Sequence, residues 1–125
     1  MTAAFPPRLY ELEAEIMGVV WRLGAASVRE VLEVLNSGER QRAYTTVMTT
    51  MSRLSQKGLL HRERRGRADL YAPVLSAQEY REARAAREVQ ALVGEYGDVA
   101  LAHFARQMEG LDAARLAELR ELADE

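Results

Sequence analysis

The segment from Ala43 to Leu60, AYTTVMTTMSRLSQKGLL, constrains the fold more strongly than any other part of this chain. Val47, Met51 and Leu54 recur at helical spacing and predict the buried stripe of an amphipathic helix. Off that stripe lie short hydroxyl side chains and one guanidinium, at Thr45, Thr46, Thr49 and Arg53. Threonine is a poor choice for an exposed helix face, because its branched Cβ restricts the side-chain rotamers. A face that breaks this local rule is a candidate binding face.

The residue types on this face suit nucleic acid. Small hydroxyls let a helix approach DNA closely and can bond phosphates or base edges, while arginine can read guanine. Met48 lies beside them and can contact the methyl group of thymine. The predicted recognition face therefore consists of five residues: Thr45, Thr46, Met48, Thr49 and Arg53.

A basic hairpin is predicted directly after this helix, in the segment HRERRGRADLYAP. Leu59 to Arg64 and Asp69 to Pro73 have the pattern of two short strands, with Gly66 at the turn. A recognition helix followed by a basic hairpin is the layout of a winged helix-turn-helix. The residues predicted to contact the DNA backbone are Lys57, Arg62, Arg64, Arg65, Arg67 and Tyr71.

Charge is segregated along the chain, although the net charge is only -2. Residues 1–75 carry a net charge of +3 and residues 76–125 one of -5. Within residues 40–67, eight basic side chains stand against one acid, so the net charge there is +7. A basic patch in an acidic protein is typical of a surface that binds a polyanion.

The chain is predicted to be mostly α with a small β wing, in two domains. A winged helix-turn-helix DNA-binding domain spans residues 1–75, and a helical dimerisation domain spans residues 76–125. The second domain has more apolar helix face than so short a segment can bury alone, so a homodimer is expected. The residues predicted at the dimer contact are Val89, Val93, Tyr96, Leu101, Phe104, Met108, Leu116 and Leu119.

Several function classes are excluded by what the sequence lacks. There is no cysteine, and His61 and His103 do not form a metal-binding motif, so no metal or cofactor is expected. Neither a phosphate-binding glycine loop nor a Ser/His/Asp constellation is present, so the chain is not predicted to be an enzyme. No apolar run approaches the roughly 18 residues of a membrane span. The N-terminus MTAAFPPR lacks the apolar segment of a signal peptide, which favours a cytoplasmic protein without membrane insertion.

The chain resembles the penicillinase-repressor family of bacterial regulators (BlaI/MecI), from about Leu9 to the C-terminus. The first helix has E-x-x-I-M-x-x-x-W, and the predicted recognition helix begins with Y-T-T-V. R-L-x-x-K-G-L follows it, and the wing has G-R-x-x-x-Y-x-P. The resemblance implies a homodimeric repressor that binds double-stranded operator DNA at a palindrome.

The resemblance also implies a route of inactivation. In the best-known members, a membrane sensor-protease system responds to β-lactam antibiotics, and the repressor is cut in its dimerisation domain before a phenylalanine. The matching position here is His103-Phe104, where those members have asparagine in place of the histidine.

Two other functions are compatible with the sequence. The winged helix could be a protein-interaction module without operator specificity, or the repressor could be controlled by a different signal. The basic patch of residues 40–67 favours DNA over a protein partner.

Overall fold

The computed structural model describes residues 6–124, and the beginning of the segment MTAAFPPR lies outside them. Three helices come first: α1 (Glu11–Leu23), α2 (Val28–Leu35) and α3 (Tyr44–Gln56). A hairpin of β1 (Leu60–Arg65) and β2 (Ala68–Pro73) follows. The chain then forms α4 (Ala77–Tyr96), α5 (Asp98–Glu109) and α6 (Ala113–Ala123). The predicted winged helix-turn-helix followed by helices is confirmed. Contacts divide the chain into two compact units, Met1–Ala85 and Ala86–Glu125.

The first three helices surround the core of the first unit. On α1, Ile16, Val19 and Val20 are buried, as their helical spacing predicts. Gly24 ends this helix with a φ of 85°, a conformation that favours glycine because it has no Cβ. Ser27 then caps α2: its hydroxyl accepts the Glu30 N–H at 3.1 Å, and the Glu30 carboxylate accepts the Ser27 N–H at 2.8 Å.

The loop before α3 is fixed by the side chain of Asn36. Its amide nitrogen donates to the Arg42 carbonyl at 3.0 Å, and its carbonyl oxygen accepts the Arg42 N–H at 2.7 Å. The Arg42 guanidinium also pairs with Glu15 of α1 at 2.9 Å. These contacts fix the point at which α3 begins.

The predicted apolar stripe of α3 packs into the core. Val47, Met51 and Leu54 have no exposed surface. Thr50 is the fourth buried residue of this helix, and its hydroxyl donates to the Thr46 carbonyl at 2.8 Å. This bond satisfies the hydroxyl inside the helix, so a threonine is tolerated there without a desolvation penalty.

The hairpin is antiparallel, with Arg62 opposite Tyr71 and Arg65 opposite Ala68. Its observed strands agree with the predicted ones to within one residue at each end. Tyr71 is 2% exposed and exchanges two backbone hydrogen bonds with Ala26, at 2.8 and 2.9 Å. The base of the wing is therefore attached to the segment between α1 and α2.

The first compact unit continues past residue 75 into the beginning of α4. The Tyr80 ring lies 5.6 Å from the Trp21 ring, and the Tyr80 hydroxyl donates to the Pro7 carbonyl at 2.8 Å. The Trp21 indole N–H donates to the Leu75 carbonyl at 2.9 Å. These contacts account for the division of the units after Ala85 rather than directly after the wing.

The second compact unit contains the rest of α4 together with α5 and α6. Gly94 lies inside α4, and the helix ends before Gly97, which has a φ of 59°. Asp112 caps α6 by accepting the Arg115 N–H at 2.8 Å. Among the helices of residues 6–124, none has both the length and the apolar character needed to cross a membrane.

Candidate nucleic-acid interface

The predicted recognition face of α3 is exposed along its length. Thr45, Thr46, Met48, Thr49 and Arg53 all lie at the surface, on the side opposite the buried stripe. Four of them line a shallow groove of about 310 Å³ together with Thr50: Thr45, Thr46, Thr49 and Arg53. A helix with one buried stripe and one hydroxyl-rich face can enter the major groove with little steric obstruction.

A second surface groove, of about 420 Å³, runs between α3 and the wing. Its lining residues are Met48, Thr49, Ser52, Arg53, Gln56 and Arg62. Sequence reasoning missed Ser52 and Gln56. Helical spacing could have found them, because Ser52 and Gln56 follow Met48 at intervals of four and extend the same face. The candidate interface therefore reaches the C-terminal turn of α3.

A third groove, of about 400 Å³, lies between the start of α2 and the wing. Its lining includes Arg29 and Tyr44, which were not predicted, next to Met48, Arg62 and Arg67. The Arg29 guanidinium lies 5.5 Å from the centre of the Tyr44 ring. A cation over an aromatic face is attracted to it, so the two side chains hold each other at the edge of this groove.

The arginines of the wing are exposed but differ in their neighbours. Arg62 donates to the Tyr71 hydroxyl at 3.2 Å. That hydrogen bond, with the charges of Tyr71 and Asp69, raises the pKa of Arg62. Arg64 donates to the Gly66 carbonyl at 3.2 Å, and Arg65 lies 3.7 Å from Glu63. Arg67 lines the same groove as Arg62.

Tyr71 and Lys57, both predicted at the DNA backbone, make contacts within the protein. Tyr71 lies on β2, its ring belongs to the core, and its hydroxyl accepts a hydrogen bond from Arg62 of β1. The Lys57 ammonium lies 2.6 Å from a carboxylate oxygen of Glu13 and 5.4 Å from the centre of the Tyr10 ring. Both residues thus connect the candidate interface to the fold, and their direct contact with DNA remains a prediction.

The partner of Lys57 is a buried carboxylate. Glu13 is 5% exposed, and its other oxygen accepts the Tyr10 N–H at 2.9 Å. Burial by itself raises the pKa of Glu13, but the Lys57 and Tyr10 hydrogen bonds and the charges of Lys57 and Arg53 outweigh it and lower the pKa. Glu13 is therefore a buried anion that anchors the C-terminal end of α3 to α1.

Of the eight residues predicted at the dimer contact, four are exposed and four are half-buried in the second unit. Tyr96, Leu101 and Met108 are 55%, 49% and 44% exposed. Val89 is also exposed, whereas Val93, Phe104, Leu116 and Leu119 are half-buried.

An apolar groove of about 340 Å³ is lined by Leu92, Tyr96, Val99, Ala100, His103 and Phe104. Neither Leu92 nor Val99 was predicted, although Leu92 shares the helical spacing of Val89 and Tyr96. His103 itself is exposed.

The part of the chain that the structure describes shows no cluster of side chains suited to bind a metal ion. No group of three or more His, Asp or Glu side chains within residues 6–124 is placed to hold a metal ion.

Known proteins that resemble this chain are transcriptional regulators. It is 45% identical to the transcriptional regulator BlaI of Mycobacterium tuberculosis over 73 residues, which are 58% of this chain and 52% of that protein. It is 28% identical to the penicillinase repressor of Bacillus licheniformis over 78 residues, which are 62% of this chain and 60% of that protein. The chain thus spans little more than half the length of these relatives.

A solved structure is similar in fold to part of this chain. The solution structure of the Bacillus licheniformis BlaI monomeric form in complex with the blaP half-operator has a TM-score of 0.51 and 28% sequence identity, covering 60% of this chain and 90% of that one. The penicillinase-repressor family model matches residues 9–125, which is nearly the whole chain. The predicted family is therefore confirmed: this chain belongs to the penicillinase-repressor family.

Proposed function

We propose that this protein is a transcriptional repressor that binds operator DNA sequence-specifically through α3 and the wing. The observation that carries the proposal is the exposed face of Thr45, Thr46, Thr49 and Arg53, set opposite a fully buried stripe and beside a basic hairpin. Hydroxyls and arginine on a helix that fits the major groove can read base edges, and the surrounding charge attracts phosphate. The BlaI half-operator complex, which covers 60% of this chain, supports the same assignment.

The proposal includes a homodimer that binds a palindromic operator in the bacterial cytoplasm. Its support is the exposed apolar surface of the second unit, where Val99 is 62% exposed and Tyr96 is 55% exposed. Large apolar side chains at such exposure mark an interaction surface, and a second copy of the chain offers the same surface in return. A two-fold dimer would place its two α3 helices on half-sites about one helical turn, or a multiple, apart.

Inactivation by proteolysis at His103-Phe104 is the regulatory part of the proposal. His103 is exposed on α5 and Phe104 is half-buried beside it. A protease needs an extended substrate, so this helix must open locally before the bond can be cut. The agent would be a membrane sensor-protease of a β-lactam response, and a different inducing signal is the alternative.

The deciding experiment is capture of genomic DNA by the purified full-length protein, followed by sequencing of the retained fragments. A repressor should enrich a small set of promoter fragments that share an inverted repeat. The double variant Thr46→Ala/Arg53→Ala is the control, because it leaves the basic wing intact and should retain DNA without sequence preference. A wild-type protein that retains no DNA would instead indicate a protein-interaction module. One that retains the same random fragments as the variant would contradict sequence-specific binding.

A further inference from the structure

Arg62 of the wing is held in place by β2. Its guanidinium donates to the Tyr71 hydroxyl at 3.2 Å, and its carbon atom lies 5.9 Å from the centre of the Tyr71 ring. Its Nε lies 4.0 Å from a carboxylate oxygen of Asp69. The contacts come from two residues of one strand, so they restrict both the position and the orientation of the guanidinium.

The anchor of Arg62 is itself rigid. The Tyr71 ring is part of the core, and its backbone is bonded in both directions to Ala26. A side chain that is already ordered before binding loses less conformational entropy when it meets its ligand. Arg62 should therefore lose less conformational entropy on binding than an exposed wing arginine that has only a local partner.

Strand geometry places Arg62 toward α3 and Arg65 away from it. Successive side chains of β1 alternate between the two faces of the hairpin. Arg62 lines both grooves that flank Met48, one beside Thr49 and Arg53 and the other beside Tyr44. Arg65 lines neither of these two grooves and pairs with Glu63, which shares its face. The two arginines thus offer a matched comparison within one strand.

We propose that Arg62 is a register-setting residue that binds one phosphate of the DNA strand bordering α3, and that Tyr71 and Asp69 are its positioning residues. This inference rests on the DNA-binding function proposed above. A guanidinium binds phosphate with two parallel hydrogen bonds, so a fixed guanidinium fixes the phosphate. Phosphate contacts of this kind set the register in which a recognition helix meets the bases.

The test compares lysine at positions 62 and 65. Lysine keeps the charge and loses the planar fork, so both variants should keep the salt dependence of the wild type. Arg62→Lys should weaken operator binding about tenfold and binding to random DNA about twofold or less, because only the operator complex depends on register. Arg65→Lys should change both affinities by less than about twofold, because it contributes charge alone.

Tyr71→Phe tests the positioning role, because it removes the hydroxyl and leaves the ring in the core. Operator affinity should fall about three- to fivefold, with a thermal midpoint close to that of the wild type. The double variant Arg62→Lys/Tyr71→Phe should bind no more weakly than Arg62→Lys alone, because the hydroxyl acts through the arginine. Additive losses in the double variant would overturn the positioning role of Tyr71.

The outcomes separate this inference from the proposed function. If the wild-type protein binds no operator, the proposed function fails. If the wild type binds and the two lysine variants behave alike, the register-setting role of Arg62 is overturned while the function stands. If Arg62→Lys changes the preferred base sequence instead of the affinity, Arg62 reads a base and the phosphate assignment is wrong.

Discussion

Glu13 shows how one side chain can support an interface that it does not touch. Its buried carboxylate receives hydrogen bonds from Lys57 and from the Tyr10 N–H, and so joins the start of α1 to the end of α3. Glu13→Gln should lower the free energy of unfolding by about 1–3 kcal/mol at neutral pH, because hydrogen bonds to a charged group are replaced by neutral ones. Urea denaturation measures the change. Glu11→Gln is the control, because the Glu11–Arg40 pair is exposed and contributes little.

The pH dependence of this pair has a definite sign. The pKa of Glu13 is lowered in the folded protein, so its ionised form stabilises the fold above the ordinary carboxyl pKa. That stabilisation is lost as the pH falls through the folded-state pKa. The difference in denaturation midpoint between wild type and Glu13→Gln should therefore shrink as the solution is acidified below the ordinary pKa. A difference that stays constant through this range would show that the charge is not what stabilises the pair.

For single residues, the sequence could not predict contacts between positions that lie far apart in the chain. Glu13 and Lys57 are 44 positions apart, and neither belongs to a recognisable motif with the other. Tyr71 was predicted on the DNA backbone because of its place in a basic hairpin, whereas its burial depends on packing against α1 and α2. Periodicity reports which face of an element is apolar and leaves open which partner that face meets.

At the scale of elements, periodicity and turn chemistry predicted the winged helix well. The stripe on α3 and Gly66 in the hairpin are local signals, and each element appears where its signal predicts. The exposed face of α3 followed from the same periodicity. The extension of the first unit into α4 did not, because it depends on Tyr80 meeting Trp21 and Pro7.

The recognition helix and the wing should separate by mutation. Thr46→Ala or Arg53→Ala should reduce the discrimination between operator and random DNA by about 1–3 kcal/mol, the worth of a good base contact. Arg65→Ala should weaken binding to both DNAs alike. It should also reduce the slope of log affinity against log salt by about one, which corresponds to one lost phosphate contact. Equilibrium binding to an operator duplex and to a scrambled duplex of equal length measures both effects. If Arg65→Ala gave the more sequence-selective loss, the roles of helix and wing would be reversed.

Over the whole molecule, segregated charge sets the salt dependence of binding. Residues 40–67 carry a net charge of +7 while residues 76–125 carry -5, so the basic surface is confined to the first unit. If each subunit of a dimer contacts about three to five phosphates, log affinity plotted against log salt should have a slope of roughly -5 to -9. Titrations of operator DNA from low to physiological salt supply the plot. A flat plot would contradict the electrostatic account of the patch.

Dimerisation should couple the two subunits at the operator. In a dimer, each subunit raises the effective concentration of the other at the operator, so avidity can exceed the affinity of one subunit by about 10²- to 10⁴-fold. Truncation after His103 removes Phe104, the rest of α5 and all of α6. We expect the truncated chain to be monomeric by light scattering and to lose operator binding. Circular dichroism should still show a folded first unit, because that unit has its own core.

A point variant tests the same coupling in the full chain. Val99 is 62% exposed and lines the apolar groove, so Val99→Glu should disturb the dimer with little effect on the fold of the subunit. Ala102→Glu is the matched control, because it places the same charge on an exposed position of α5 that does not line this groove. Val99→Glu should become monomeric and bind operator weakly, while Ala102→Glu should stay dimeric and bind as the wild type does. If a monomeric Val99→Glu variant still bound operator as tightly as the wild type, loss of the dimer could not be the switch. Regulation would then have to act on α3 and the wing themselves.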